Sequence, residues 1–110
     1  MIRASLTPGS RHAMMIGSPG KGFAFQRRVS DNIESVHTAG PLTVPPAWVK
    51  LQRTGNTIEA SVSFDGVSWQ VVGTETIALP ATVYVGLPLT SHYDGLVATG
   101  ILDSVSVTTP

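Results

Sequence analysis

The acidic residues of this chain do not come in the pairs that acid–base catalysis needs. Glycoside hydrolysis, for one, uses two carboxyl groups about 5–9.5 Å apart on either side of the bond to be broken. Glu59, Asp65, Glu75, Asp94 and Asp103 are instead scattered singly. Asp65 and Asp94 each precede a glycine and read as turn formers. Asp31 and Glu34 are close in sequence but fall in an irregular stretch. His12, His37 and His92 share no His-x-His or His-x-x-x-His spacing, so no metal site is expected. The cysteine count is zero, which removes thiolate catalysis, thiolate metal ligation and disulfides together. No Gly-x-Ser-x-Gly elbow offers an esterase nucleophile. Ser18-Pro19-Gly20-Lys21-Gly22 lacks the spacing and the following helix of a phosphate loop, and reads as a hairpin turn. The sequence points away from an enzyme and away from any cofactor.

What remains is binding chemistry. Arginine and glutamine hold several donors in fixed planes, which suits sugar hydroxyls or a carboxylated sugar. Arg3, His12, Gln26 and Arg28 are the candidates of this kind. Trp48 is out of phase with Val49 and Leu51 and follows Pro45-Pro46. It reads either as a rim aromatic that stacks a pyranose or as a residue buried where a strand starts. Tyr93, beside His92 at the Asp94-Gly95 turn, is a second aromatic candidate. Its plainer reading is an exposed turn tyrosine with no ligand.

The elements that must position these groups are strands. In 110 residues, 42% are hydrophobic and only 13% charged, against about 25% charged in ordinary soluble domains. Disordered chains are charge-rich and apolar-poor, so residues 1–110 are expected to form one folded domain. Seven Lys+Arg balance seven Asp+Glu, which leaves no electrostatic reason for a nucleic-acid or acidic-membrane partner. No apolar run approaches the ~18–20 residues of a membrane span. Met1 to Leu6 lacks the basic-then-apolar layout of a signal peptide, and the compartment stays unassigned.

Apolar residues alternate with polar ones through Ile2–Leu6 and Ile58–Phe64, and turn pairs recur at Pro8-Gly9, Pro19-Gly20, Gly55-Asn56, Asp65-Gly66 and Asp94-Gly95. Short strands punctuated by turns argue for an all-β sandwich or barrel. A turn centred on Pro8-Gly9 would pair Ala4 with Ala13. A three-residue loop at 19–21 would pair Met15 with Phe25 and Gly17 with Phe23. One face then collects Ile2, Ala4, Leu6, Ala13, Met15, Phe23 and Phe25. The other collects Arg3, His12, Met14, Ile16, Ala24, Gln26 and Arg28, with His12 beside Arg28 and Met14 beside Gln26. A tight turn at Asp65-Gly66 would set Val62 opposite Trp69 and send Trp69 into the core. Residues 31–46, with Gly40-Pro41 and Pro45-Pro46, are expected to be an irregular loop crossing between sheets. Further strands are expected over 47–53, 82–90 and 96–107, the last with a bulge near Asp103-Ser104.

The order of several short motifs resembles one family. They are Met1-Ile2-Arg3-Ala4-Ser5-Leu6, Ala24-Phe25-Gln26-Arg27-Arg28, Trp48-Val49-Lys50-Leu51, Arg53-Thr54-Gly55-Asn56-Thr57, Ser63-Phe64-Asp65-Gly66-Val67-Ser68-Trp69, and Tyr84-Val85-Gly86-Leu87 with Thr90-Ser91-His92. This set resembles the concanavalin A-like lectin/glucanase superfamily, most of all the modules appended to secreted bacterial glycosidases. The resemblance implies a jelly-roll-like antiparallel β-sandwich and a role in carbohydrate association. Family members carry strands upstream of the Met-Ile-Arg segment. The resemblance therefore implies the C-terminal part of a larger domain, incomplete as a single chain. Pro88 stands where a small residue such as Ala is usual. Ser63–Trp69 is also similar to the Ser-x-Asp-x-Gly-x-Thr-Trp turn of sialidase-type propellers, one residue short. The function expected is a non-catalytic carbohydrate-binding or accessory module with a glycan ligand. The alternative is a structural, self-assembling β-domain without a small-molecule ligand. Missing strands would leave unpaired edges and bare apolar surface, so a homo-oligomer, most simply a dimer, is expected.

Overall fold

The computed structural model describes residues 1–109, and they form strands and turns with no helix. The strands are β1 (Ile2–Arg3), β2 (His12–Ser18), β3 (Gly22–Arg28), β4 (Val36–Ala39), β5 (Trp48–Thr54), β6 (Thr57–Ser63), β7 (Gln70–Thr76) and β8 (Tyr84–Val85). They build a five-stranded sheet in the order β4-β3-β2-β1-β8 and a three-stranded sheet in the order β5-β6-β7. Every pairing is antiparallel. The two sheets pack face to face as a β-sandwich, with Ala13 and Phe25 of one meeting Ile58 and Ala60 of the other. Ile77 and Leu79, on the crossing from β7 to β8, complete that core.

The β2–β3 hairpin has the register expected of it. Met15 faces Phe25 and Gly17 faces Phe23, around a loop of residues 19–21. β1 sits two residues from its expected place, with Ile2 opposite Ala13. Residues 4–11 close a wider loop, in which Ala4 N–H donates to Arg11 O and Ser10 N–H to Thr7 O, both at 3.1 Å. A slip of two keeps every side chain on its own face, so Ile2 still points inward. Leu6, expected in the core, falls in this loop and is exposed.

Trp69 is the larger correction. Val62 pairs with Gln70, not with Trp69, so the indole is on the outer face and 36% exposed. The connection is no tight turn, because residues 63–69 wrap around Asp65. Its Oδ1 accepts the N–H groups of Val67 and Ser68 at 2.8 Å and the Ser63 hydroxyl at 3.0 Å. A loop of odd length inverts the phase of β7, and a bulge between Ala60 and Ser61 restores it, so that Gly73 faces Ala60.

Two stretches differ from expectation in opposite senses. The crossing stretch 31–46 contains an edge strand, β4, that pairs with β3 before Gly40-Pro41 ends it. By contrast, the strands expected over 82–90 and 96–107 shrink to Tyr84–Val85 alone. Pro88 supplies no donor and residues 96–107 meet no partner strand, so their apolar side chains stay exposed.

Candidate functional site

The pleat of the five-stranded sheet gathers four of the candidate residues on its outer face. Tyr84, Arg3, His12 and Arg28 form one row across β8, β1, β2 and β3. Met14, Gln26 and His37 form the next. Their donors, however, are directed into the protein itself. Arg3 Nη2 donates to Thr7 O at 2.6 Å and its Nε to Ser5 O at 3.1 Å. Arg28 Nε donates to Ile33 O at 2.8 Å and its Nη1 to Pro8 O at 3.0 Å. Gln26 Nε2 and His37 Nδ1 lie 2.9 Å apart in a mutual hydrogen bond. His12 lies beneath the two arginines, 5% exposed, its Nδ1 3.2 Å from Ser10 O. Burial pushes its pKa below the ordinary 6.5, the nearby Arg28 and Arg3 push the same way, and the Ser10 bond opposes them. His12 is therefore neutral at pH 7, and this row closes the 5–10 loop over the sheet.

The arginines follow one rule throughout. Arg11 donates to Ala78 O at 2.7 Å and binds Asp31, and Arg53 donates to Gly55, Leu79 and Pro80 carbonyls at 2.7 Å. Arg27 bridges the sheets to Glu75 at 3.0 Å. A shallow cleft of about 420 Å³ beside Arg11, Asp31, Asn56 and Pro80 thus has its cation and its carboxylate already bound to each other. Among the described residues no cluster of three or more His, Cys, Asp and Glu could hold a metal ion.

The outer face of the three-stranded sheet is different. Trp48, Lys50 and Gln52 of β5 alternate onto it, opposite Ser63, Ser61 and Glu59 of β6. Trp69 lies just before Gln70, level with Ser63, on the far side of β6 from Trp48. The two indoles therefore flank a strip floored by buried serines, two strand spacings or about 9.5 Å across. The Lys50 ammonium reaches over β6 to stand 4.3 Å from the Trp69 ring centroid. It makes no ion pair among the described residues. Trp48 is 42% exposed, one edge resting against the 65–66 turn, where Gly66 has a φ of 77°. A Cβ on Gly66 would lie 2.9 Å from the Trp48 indole nitrogen, so the turn must be glycine for the ring to keep its place.

Trp48 is thus brought to a shared surface, but with Trp69 and Lys50 and not with the other candidates. Tyr93 stands apart on the loop after β8, exposed, with its ring edge-on to His92 at 6.5 Å. Trp69 and Lys50 escape a periodicity argument because alternation places them only once the loop length is known. The Ser63-x-Asp65-Gly66 pattern carried the missing signal, since a serine and an aspartate two apart close a longer loop than a hairpin tip. Compared with protein-family models, with curated proteins and with solved structures, the chain matches none of them.

Proposed function

We propose that the chain is a non-catalytic carbohydrate-binding module that holds glycan on the Trp48–Lys50–Trp69 face. The observation that supports it most is the pair of partly exposed indoles astride β6, with one ammonium between them. Pyranose rings present C–H groups on one face and hydroxyls at the rim, so an indole beside hydrogen-bonding groups matches both. Lys50, Gln52 and Glu59 supply the rim donors and acceptors. The face is open and shallow, so affinity is weak. Affinity electrophoresis through gels containing neutral or uronate-rich polysaccharides tests the reading. The parent is retarded in at least one gel, and the Trp48→Ala, Trp69→Ala double variant runs as in a sugar-free gel. A parent that no polysaccharide retards overturns it.

A second reading is a self-assembling β-domain. The observation in its favour is the bare apolar surface after β8, where Val97 is 95% and Ile101 92% exposed.

A further inference from the structure

The two sheets differ in width, and the difference falls on one side. β5 and β6 lie over β2, and β7 over β3 and β4, so the smaller sheet stops before β8. Val85 shares the inward face with its pairing partner Ile2, yet it is 54% exposed. On the same side of the sandwich, Val49 shares the inward face of β5 with Leu51, yet it is 47% exposed.

The edge beside Val49 is also unpaired. The two-residue turn at Gly55-Asn56 sets Thr54 opposite Thr57, so the backbone groups of Val49 and Leu51 point away from β6. Neither residue takes a backbone partner elsewhere among the described residues.

The chain itself carries a strand pattern without a sheet. Val105 and Val107 alternate with Ser104 and Ser106, and residues 101–107 are exposed throughout. They match the seven residues of β5 in length. A turn closed by Leu96 N–H to Tyr93 O at 3.2 Å folds the chain back before them, with Gly100 against Leu89.

We propose that residues 101–107 of a second copy add as a fourth strand along the free edge of β5, in a reciprocal two-fold exchange. The inference rests on the self-assembly reading and gives it a geometry. Ile101, Leu102, Val105 and Val107 are each more than half exposed, and a reciprocal exchange covers this set twice, once in each copy. Charge does not oppose the pairing, since the added segment carries only Asp103 and the β5 strand only Lys50 and Arg53. Reciprocal exchange closes after two copies, because each β5 edge and each 101–107 segment is then taken.

The test uses light scattering on the unmodified chain and cross-linking in a background that holds no cysteine. Val49→Cys is combined in turn with Val105→Cys and with Val107→Cys, each pair is oxidised, and products are separated without reductant. The expected results are twice the chain mass in solution and a disulfide-linked dimer from at least one pair. Val49→Cys alone remains reduced, which excludes random collision. A monomer by scattering overturns both the inference and the self-assembly reading. A dimer whose paired cysteines stay as free thiols, or close within one chain, overturns the strand exchange and leaves self-assembly standing.

Discussion

A tryptophan and a phenylalanine show how far residue type alone can mislead. Phe25 is fully buried between the sheets, whereas Trp69, the larger side chain, keeps a third of its surface in water. Trp69 holds the Lys50 ammonium over its ring across β6, and an exposed cation–π pair is worth about 0.5–1 kcal/mol. Trp69→Ala should therefore destabilise by only about 1–2 kcal/mol, the cation–π pair plus partial burial. Phe25→Ala should cost about 3–5 kcal/mol by leaving a core cavity, enough to unfold much of a domain this small. Urea denaturation of the two variants measures the contrast. Equal losses would return Trp69 to the core. Arginine carries the same lesson in the other direction. A guanidinium reads as a ligand group in a sequence, but Arg3 and Arg28 satisfy carbonyls of loops that cross their own sheet. Nothing in residue spacing says where a loop will lay its carbonyls, so that half of the candidate surface was not legible.

At the scale of elements, legibility followed how each turn is closed. The β2–β3 register could be read because both strands alternate and only one loop length keeps both apolar faces together. The β6–β7 connection is different, because Asp65 organises an odd loop and a bulge corrects the phase afterwards. Two compensating irregularities cannot be separated by periodicity. The sheets and most of the core are thus in the sequence, while the face of Trp69 is not. The last strands failed for another reason, since a pattern specifies a strand only when a partner edge is present. Glycines at the β2–β3 hairpin give a local check. Gly22 has a φ of 73°, and a Cβ there would strike the Pro41 carbonyl, which accepts the Phe23 N–H at 2.9 Å. Gly22→Ala is expected to lose about 1–3 kcal/mol through backbone strain and loss of that tie. Gly20→Ala, two residues away with nothing within 4 Å of its added methyl, should be neutral or slightly stabilising. Thermal melts that ranked the two the other way would refute the loop geometry.

For the molecule as a whole, acid should act in two steps. His12 prefers its neutral form in the folded state, because burial beneath Arg3 and Arg28 disfavours the imidazolium. The unfolded chain takes up that proton near 6.5, before the folded chain does. Its contribution is complete above about pH 7 and is lost as pH falls through 6.5 toward the lower folded value. Asp31 and Asp65 behave differently. The Arg11 guanidinium and N–H hold the Asp31 carboxyl below its ordinary 3.8, and the N–H groups of Ser68 and Val67 with the Ser63 hydroxyl do the same for Asp65. Both contributions are complete above about pH 5 and are lost only as pH falls through 3.8 and onward. Melting temperature should therefore decline as pH falls below about 7, and decline further below about pH 4. His12→Gln removes the titrating ring and should flatten the first decline without touching the second. Asp65→Asn should do the reverse, weakening the second while the first persists. The comparison is made with the Met1 amine acetylated, since burial lowers that group below its ordinary 8.0 as well. If the first decline survived His12→Gln unchanged even then, His12 would not be the buried neutral group, and the packing of the 5–10 loop over the five-stranded sheet would be wrong with it.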